Sequence, residues 1–290
     1  MSAAGAAGVL YVVATPIGNL GDVTIRALEV LAAVPLIAAE DTRLSKRLLD
    51  RHGVATRMTS FHARSAPGRL VALLEHLRGG ADLALITDAG TPGVSDPGMD
   101  LVAAWALEGG QVVPLPGPSA ALAAVAASGV AGPRWSFEGF LPRSGRDRRE
   151  RLAAIAADSR GCVLFEAPIR VAATLRDLAG ACGADRRGAV CRELTKMHEQ
   201  IVRAPLAELA VAVADGAIPA RGEFVLVVGM GAAADEDAEA GGSAEGRLAA
   251  ARAEVQRLVE DGAARGEAAR RVSASTGIPR RALYDTDAQR

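Results

Sequence analysis

Lysine is almost missing from this chain: Lys46 and Lys196 stand against 31 arginines in 290 residues. That bias alone carries no functional information. Cysteine is scarce as well. Cys162, Cys182 and Cys191 are odd in number and 20 and 9 residues apart, which fits neither a disulfide framework nor a paired zinc site. A reducing cytoplasm is the simplest setting. Aromatic residues make up only 3%, so stacking on splayed bases is a minor source of any affinity for nucleic acid. No apolar run approaches the ~20 residues of a membrane helix without Gly, Pro or charge interrupting it. The N-terminus lacks the charged region of a signal peptide. A soluble protein is expected. The net charge of −1 argues against coating nucleic acid by charge, yet allows a local basic patch. His52, His62 and His76 form no ligand spacing, and no metal is expected.

Half the residues are apolar, enough for a sizeable core, and the length suggests two domains with a small appendix. Short apolar runs alternate with helical stretches, which reads as βαβ units around a largely parallel sheet. In the first half the pattern predicts strands at 9–13, 36–39, 83–87 and 111–114. Asp22 is a candidate N-cap for a helix carrying Ile25, Leu28 and Leu31 on one face. Helices follow at 42–51, 69–78 and 97–109. Prolines at 114, 116 and 118 mark a boundary. The second half predicts helices at 118–128, 145–157, 168–180 and 205–214, with strands at 136–140, 162–165, 188–191 and 223–228.

Residues 231–246 are rich in Gly, Ala and acids and read as a flexible linker. Residues 247–290 read as a basic helical tail of helix–turn–helix type, turning at Gly277 into Arg280-Arg281. The expected organisation is 1–115, 116–230, linker 231–246 and tail 247–290.

In open α/β sheets, ligands bind outside the carboxyl ends of the strands. Four small polar loops leave such ends: Thr15-Pro16-Ile17-Gly18-Asn19, Glu40-Asp41-Thr42-Arg43, Asp88-Ala89-Gly90-Thr91-Pro92 and Pro116-Gly117-Pro118-Ser119-Ala120. Neither a dinucleotide fingerprint nor a phosphate-binding lysine loop is present. A polyphosphate ligand is therefore a poor fit. A ligand with an adenosine, a carboxylate and an amine could be held by backbone groups and a carboxylate such as Asp88.

These loops, extended to Asp88-Ala89-Gly90-Thr91-Pro92-Gly93-Val94-Ser95-Asp96-Pro97-Gly98, resemble the tetrapyrrole-methylase superfamily. More narrowly the chain resembles its ribosomal branch, the small-subunit ribosomal RNA (cytidine-2′-O)-methyltransferases. Phe137-Glu138-Gly139-Phe140, Phe165-Glu166-Ala167-Pro168, Arg192-Glu193-Leu194-Thr195-Lys196 and Arg221-Gly222-Glu223-Phe224 extend the match over about 9–229. The resemblance implies two α/β domains of the class III methyltransferase type, with S-adenosylmethionine between them, usually in a homodimer. Carried onto this chain, the cofactor would touch Pro16, Asp88, Ala89, Gly90, Thr91, Pro92, Ser119 and Ala120. From the second domain it would touch Phe165, Glu166, Leu194 and Gly222.

The implied reaction is methyl transfer to a ribose 2′-hydroxyl of a cytidine in 16S ribosomal RNA. A proton acceptor or charge-stabilising cation is expected, with Glu40, Asp41, Glu193 and Lys196 as candidates. Asp41 equally suits an N-cap of the following helix, and Lys196 a solvated charge. Arg43, Arg143, Arg146, Arg148 and Arg149 are candidate RNA contacts. Two other readings compete: a methylase of a porphyrin-like macrocycle, and a DNA-binding regulator built on the tail.

Overall fold

The computed structural model describes residues 7–231 and 244–284. Four-residue apolar runs become the strands of a first sheet: β1 (Leu10–Val13), β2 (Leu36–Ala39), β4 (Leu83–Ile86) and β5 (Val112–Leu115). β3 (Met58–Ser60) joins at the edge, giving the order β3-β2-β4-β1-β5, parallel throughout. Helices α1 (Ile25–Ala33), α2 (Thr42–Arg51), α3 (Pro67–Arg78) and α4 (Met99–Leu107) link successive strands. Leu31, Ile37, Leu49 and Ile86 pack on one side of this sheet; Leu77, Leu83, Leu85 and Trp105 pack on the other. Covering both faces is what permits a continuous apolar strand such as Leu83-Ala84-Leu85-Ile86, buried at every position.

The second sheet differs in kind. Its strands are β6 (Trp135–Phe140), β7 (Gly161–Glu166), β8 (Arg187–Arg192), β9 (Gln200–Pro205) and β10 (Phe224–Val228), in the order β6-β7-β10-β8-β9. Only β6 and β7 are parallel; β10 runs antiparallel to β7 and β8, and β8 to β9. The largely parallel arrangement expected throughout holds for the first sheet alone. Helix α5 (Ala120–Ser128) covers one face; α6 (Gly145–Ala157), α7 (Val171–Cys182) and α8 (Leu206–Ala214) cover the other. The antiparallel β10 has a consequence for function. Phe224 pairs with Glu166 and with Arg192, so the chain just before β10 lies at the same edge as the loops leaving β7 and β8.

Local chemistry corrects two details. Thr24, not Asp22, caps α1, its hydroxyl accepting from the Ala27 amide at 3.1 Å. Asp22 instead closes a 3-10 turn that Asn19 caps, and Ile25 is 78% exposed, off the buried face. No helix among the described residues is long and apolar enough to cross a membrane.

Residues to Gly229 form one compact unit and those from Met230 a second. Most of the expected linker, 232–243, lies outside the described residues. In the tail, α9 (Ala244–Glu260) and α10 (Arg265–Thr276) pack through Ala251, Val255, Ala268, Ala269 and Val272. Gly277 takes the left-handed conformation that ends α10. Beyond it, the described residues form one 3-10 turn, Arg280–Leu283, rather than a second basic α-helix. Leu283 plugs this turn into the helix pair, and Arg252 donates to the Ala282 carbonyl at 2.9 Å.

Candidate active site

Loops from both sheets meet around a cavity of about 400 Å³, within the range of small-molecule sites. The first sheet contributes Ile17 after β1, residues 89–91 and 94–96 after β4, and Ser119-Ala120 at the start of α5. From the second come Phe140, Phe165, Glu166, Leu194 and the Gly222-to-Val225 segment. Of the expected cofactor residues, Ala89, Gly90, Thr91, Ser119, Ala120, Phe165, Glu166, Leu194 and Gly222 are in the wall.

Pro16, Asp88 and Pro92 are not. Both prolines are buried outside the wall, and Asp88 turns back to accept the Asp41 amide at 3.0 Å. Asp96 is the carboxylate this loop presents to the cavity instead. It belongs to the same motif, but nothing local in the sequence distinguishes it from Asp88.

The loops are fixed by backbone. Thr15 and Gly90 exchange amide–carbonyl bonds of 2.8 and 2.9 Å, tying the β1 and β4 ends together, and Gly90 has φ +81. Across the cleft, the Asn19 amide donates to the Thr195 hydroxyl at 3.1 Å. A Cβ on Gly18 would sit 2.5 Å from Lys196 Cγ, so only glycine allows this approach. The three non-glycine residues with left-handed backbone among the described residues are Ser95, Glu193 and Thr195, all in these loops. Such conformations cost of order 1–3 kcal/mol and cluster at functional sites.

Most acids here are already engaged. Glu166, 3% exposed, accepts the Ala167 amide, the Thr174 hydroxyl and Arg170. Glu193 accepts Lys196 at 2.9 Å and the Glu223 amide at 2.9 Å. The bond from Lys196 holds the Glu193 carboxyl below its usual range. For Lys196, burial pulls the ammonium down, but Glu193 and Glu223 outweigh it and its pKa ends above the ordinary value. Lys196 is thus a fixed cation, and Glu193 its counter-ion, neither suited to take a proton at neutral pH.

At the first sheet, Asp41 does cap α2, accepting the Arg43 amide at 2.8 Å. Hydrogen bonds from Arg43 hold its carboxyl far below the usual range. Burial raises both Glu40 and Asp88. Asp96 is pushed up to about 6, first by burial and then by the charge of Glu40.

A model of the tetrapyrrole (corrin/porphyrin) methylases matches residues 9–210. The chain belongs to that family. It is 45% identical to ribosomal RNA small subunit methyltransferase I of Synechocystis over 277 residues, 96% of each chain. It is 41% identical to the protein of that name from Xylella fastidiosa, over 96% of this chain and 98% of the other. Among solved structures, uroporphyrin-III C-methyltransferase of Thermus thermophilus complexed with S-adenosylhomocysteine superposes with a TM-score of 0.56 at 19% identity, over 77% of this chain and 97% of that one. At that identity the likeness concerns the fold. This member of the family is a methyltransferase, and its curated relatives favour RNA over a macrocycle as substrate class.

The candidate RNA contacts divide. Arg43 is 88% exposed and forks onto Asp41. Arg143 and Arg149 are exposed and have no carboxylate partner among the described residues, while Arg146, also exposed, pairs with Glu150. Arg148 does not belong with them. Its side chain is 10% exposed and donates to Asp177, the Thr174 hydroxyl and the Pro142 carbonyl, pinning α6 to α7. One basic surface escapes sequence reading: a depression of about 550 Å³ at the end of β3, lined by His62, Arg64 and Arg69 with Ser60 and Ser65, and by no carboxylate. It draws on scattered exposed residues, which no linear motif reveals.

Proposed function

We propose that this member of the family transfers a methyl group from S-adenosylmethionine to the ribose 2′-hydroxyl of a cytidine in 16S ribosomal RNA, with the small ribosomal subunit as partner. The observation that carries this reading is the wall of the cavity: three carboxylates, Asp96, Glu166 and Glu223, with no lysine or arginine. Such a lining suits a ligand bearing a sulfonium and an ammonium and disfavours a polyphosphate. The names of the relatives supply the RNA, and the bound product of the Thermus neighbour supports the donor.

The donor's chemistry is a methyl group already activated by positive sulfur. Backbone groups of Ala89, Gly90 and Thr91 would hold it, with the apolar faces of Ile17, Phe165, Leu194 and Val225 around it. The amides that open α5 at Ser119 and Ala120 suit its carboxylate. Placing the hydroxyl in line is worth effective molarities of roughly 10⁵–10⁸ M, against about 10²–10⁴-fold for a proton acceptor. Alignment therefore dominates, and Lys196 on Glu193 and Glu223 is a positioned cation at the cleft edge. Arg43, Arg143, Arg146, Arg149 and the His62–Arg64–Arg69 depression offer the phosphate contacts that set RNA register. A cytoplasmic homodimer completes the reading; sedimentation reports the oligomeric state.

The test is transfer of labelled methyl to three acceptors: under-methylated small ribosomal subunits, a uroporphyrinogen-type macrocycle, and DNA. Label in 16S RNA, at a ribose resistant to alkaline cleavage, is the expected result. Label in the macrocycle alone would overturn the RNA reading.

A further inference from the structure

Resting on that reading, we infer that Phe140 is the platform on which the base of the target nucleotide stacks, so that its ribose hydroxyl is presented to the donor. Phe140 owes its place to a bulge. β6 pairs with β7 as Phe137 with Val163, then as Gly139 with Leu164 and Phe140 with Phe165, leaving Glu138 as the extra residue. Side chains alternate across a strand, so unbroken pairing from Phe137 would aim Phe140 at the face covered by α6, α7 and α8. The extra residue reverses this. Leu141 enters that core instead, 2% exposed and clustered with Leu164 and Leu175. Phe140 moves to the face of Phe165 and into the cavity wall. Bulges are rare between parallel strands and recur next to active sites, where they re-aim a side chain.

The bulge is held from several sides. Gly139 takes φ +59, and a Cβ there would lie 2.9 Å from the Ser95 hydroxyl oxygen. Glu138 accepts from Arg151 of α6 at 2.6 Å. Just after Phe140, the Leu141 carbonyl accepts from Arg170 at 2.7 Å and the Pro142 carbonyl from Arg148 at 3.0 Å. The Phe140 and Phe165 rings meet edge to face, with centroids 5.7 Å apart. All this support ends in a ring that is 56% exposed. An apolar side chain fixed in place and left uncovered forfeits its own burial. That is the arrangement of a preorganised binding anchor.

The occupant follows from the order of exposure. Phe224 is 3% exposed and Phe165 is half-buried, so Phe140 is the most exposed of the three phenylalanines in the wall. The donor fills the more enclosed part, and the acceptor arriving from solvent meets Phe140. For an RNA that acceptor is a nucleotide turned out of its stack, whose base offers a π-face to an aromatic ring. Every base has such a face, so the ring orients the nucleotide without selecting cytosine. In a chain this poor in aromatics the stack adds little to total RNA affinity; its effect is on alignment of the hydroxyl.

The experiment compares wild type with Phe140→Trp, Phe140→Leu and Phe140→Ala in labelled-methyl transfer to under-methylated small ribosomal subunits. Affinity for S-adenosylmethionine is measured alongside by calorimetry, and folding by thermal melting. Phe140→Ala should lose roughly 10- to 100-fold in kcat/KM, the effect of removing one base–aromatic stack. Phe140→Leu keeps an apolar side chain without the π-face and should lose nearly as much, whereas Phe140→Trp should stay within about threefold of wild type. Donor affinity and melting temperature should be unchanged throughout. A readout independent of activity accompanies these: p-benzoylphenylalanine placed at position 140 and irradiated with the subunits and S-adenosylhomocysteine. It should crosslink to 16S RNA at the nucleotide that the wild type labels.

Wild-type kcat/KM in Phe140→Ala overturns the inference. A loss of donor affinity that matches the loss of rate does so too, since Phe140 would then belong to the donor's seat. Crosslinks that are absent, or that fall only on nucleotides remote from the labelled one, overturn it as well. Failure of the wild type to label ribosomal RNA would instead overturn the function on which the inference rests.

Discussion

Arg148 shows how a charge is assigned by its surroundings rather than its neighbours in sequence. It sits in a run with Arg146, Arg149 and Arg151, yet its position faces α7, and Asp177 and Thr174 take its guanidinium. Breaking a buried pair is costly because the remaining group is left uncompensated, although Asp177 at 44% exposure recovers some hydration. Arg148→Ala should lower stability by about 2–4 kcal/mol in urea unfolding. Arg149→Ala should stay within about 0.5 kcal/mol while weakening RNA binding and reducing its salt slope. The reverse ranking would return Arg148 to the RNA surface. Residue identity in the sequence could not separate the two, because burial depends on which face of α6 meets α7. Asp96 was hidden for the same reason: Asp88, eight positions earlier, looks equally suited, and only the return of its side chain to the Asp41 amide removes it.

At the level of elements, continuous apolar runs were legible because central strands covered on both faces tolerate no polar residue; Leu83–Ile86 in the parallel sheet and Phe224–Val228 in the mixed one follow directly. Helix Gly145–Ala157 was legible from end to end. Two strands were not. Met58–Ser60 is three residues long, Gln200–Pro205 carries Gln, Arg and Pro, and both are half-buried, as edge strands are. Missing Gln200–Pro205 concealed the mixed character of the second sheet, and with it the reason Gly222 and Glu223 reach the cavity.

The loop leaving β8, which lines the cavity at Leu194, meets the loop leaving β1 at Gly18, where there is no room for a methyl group beside Lys196 and Thr195. Gly18→Ala must part these loops. It should cost at least tenfold in kcat/KM, because reacting groups displaced by about 1 Å lose roughly 10²-fold, with little change in far-UV circular dichroism. Wild-type activity in Gly18→Ala would show that the contact is incidental.

For the whole molecule, two sheets of different construction present strand-end loops to one cavity lined by three carboxylates, while exposed cations lie outside it near both sheets. This separation is what a protein joining a cationic small donor to an anionic polymer requires: each ligand meets the opposite sign. The family's motifs carried that division in outline, since the glycine- and proline-rich loops and the arginine-rich α6 were visible in the sequence. Donor binding in this cavity is measured by calorimetric titration of S-adenosylmethionine into the wild-type chain and into Gly90→Val, where a β-branched residue is forced to φ +81 in the wall. One site per chain is expected in the wild type, with at least a tenfold loss of affinity in the variant; no heat from the wild type, or equal affinity in both, would show that the donor does not bind there.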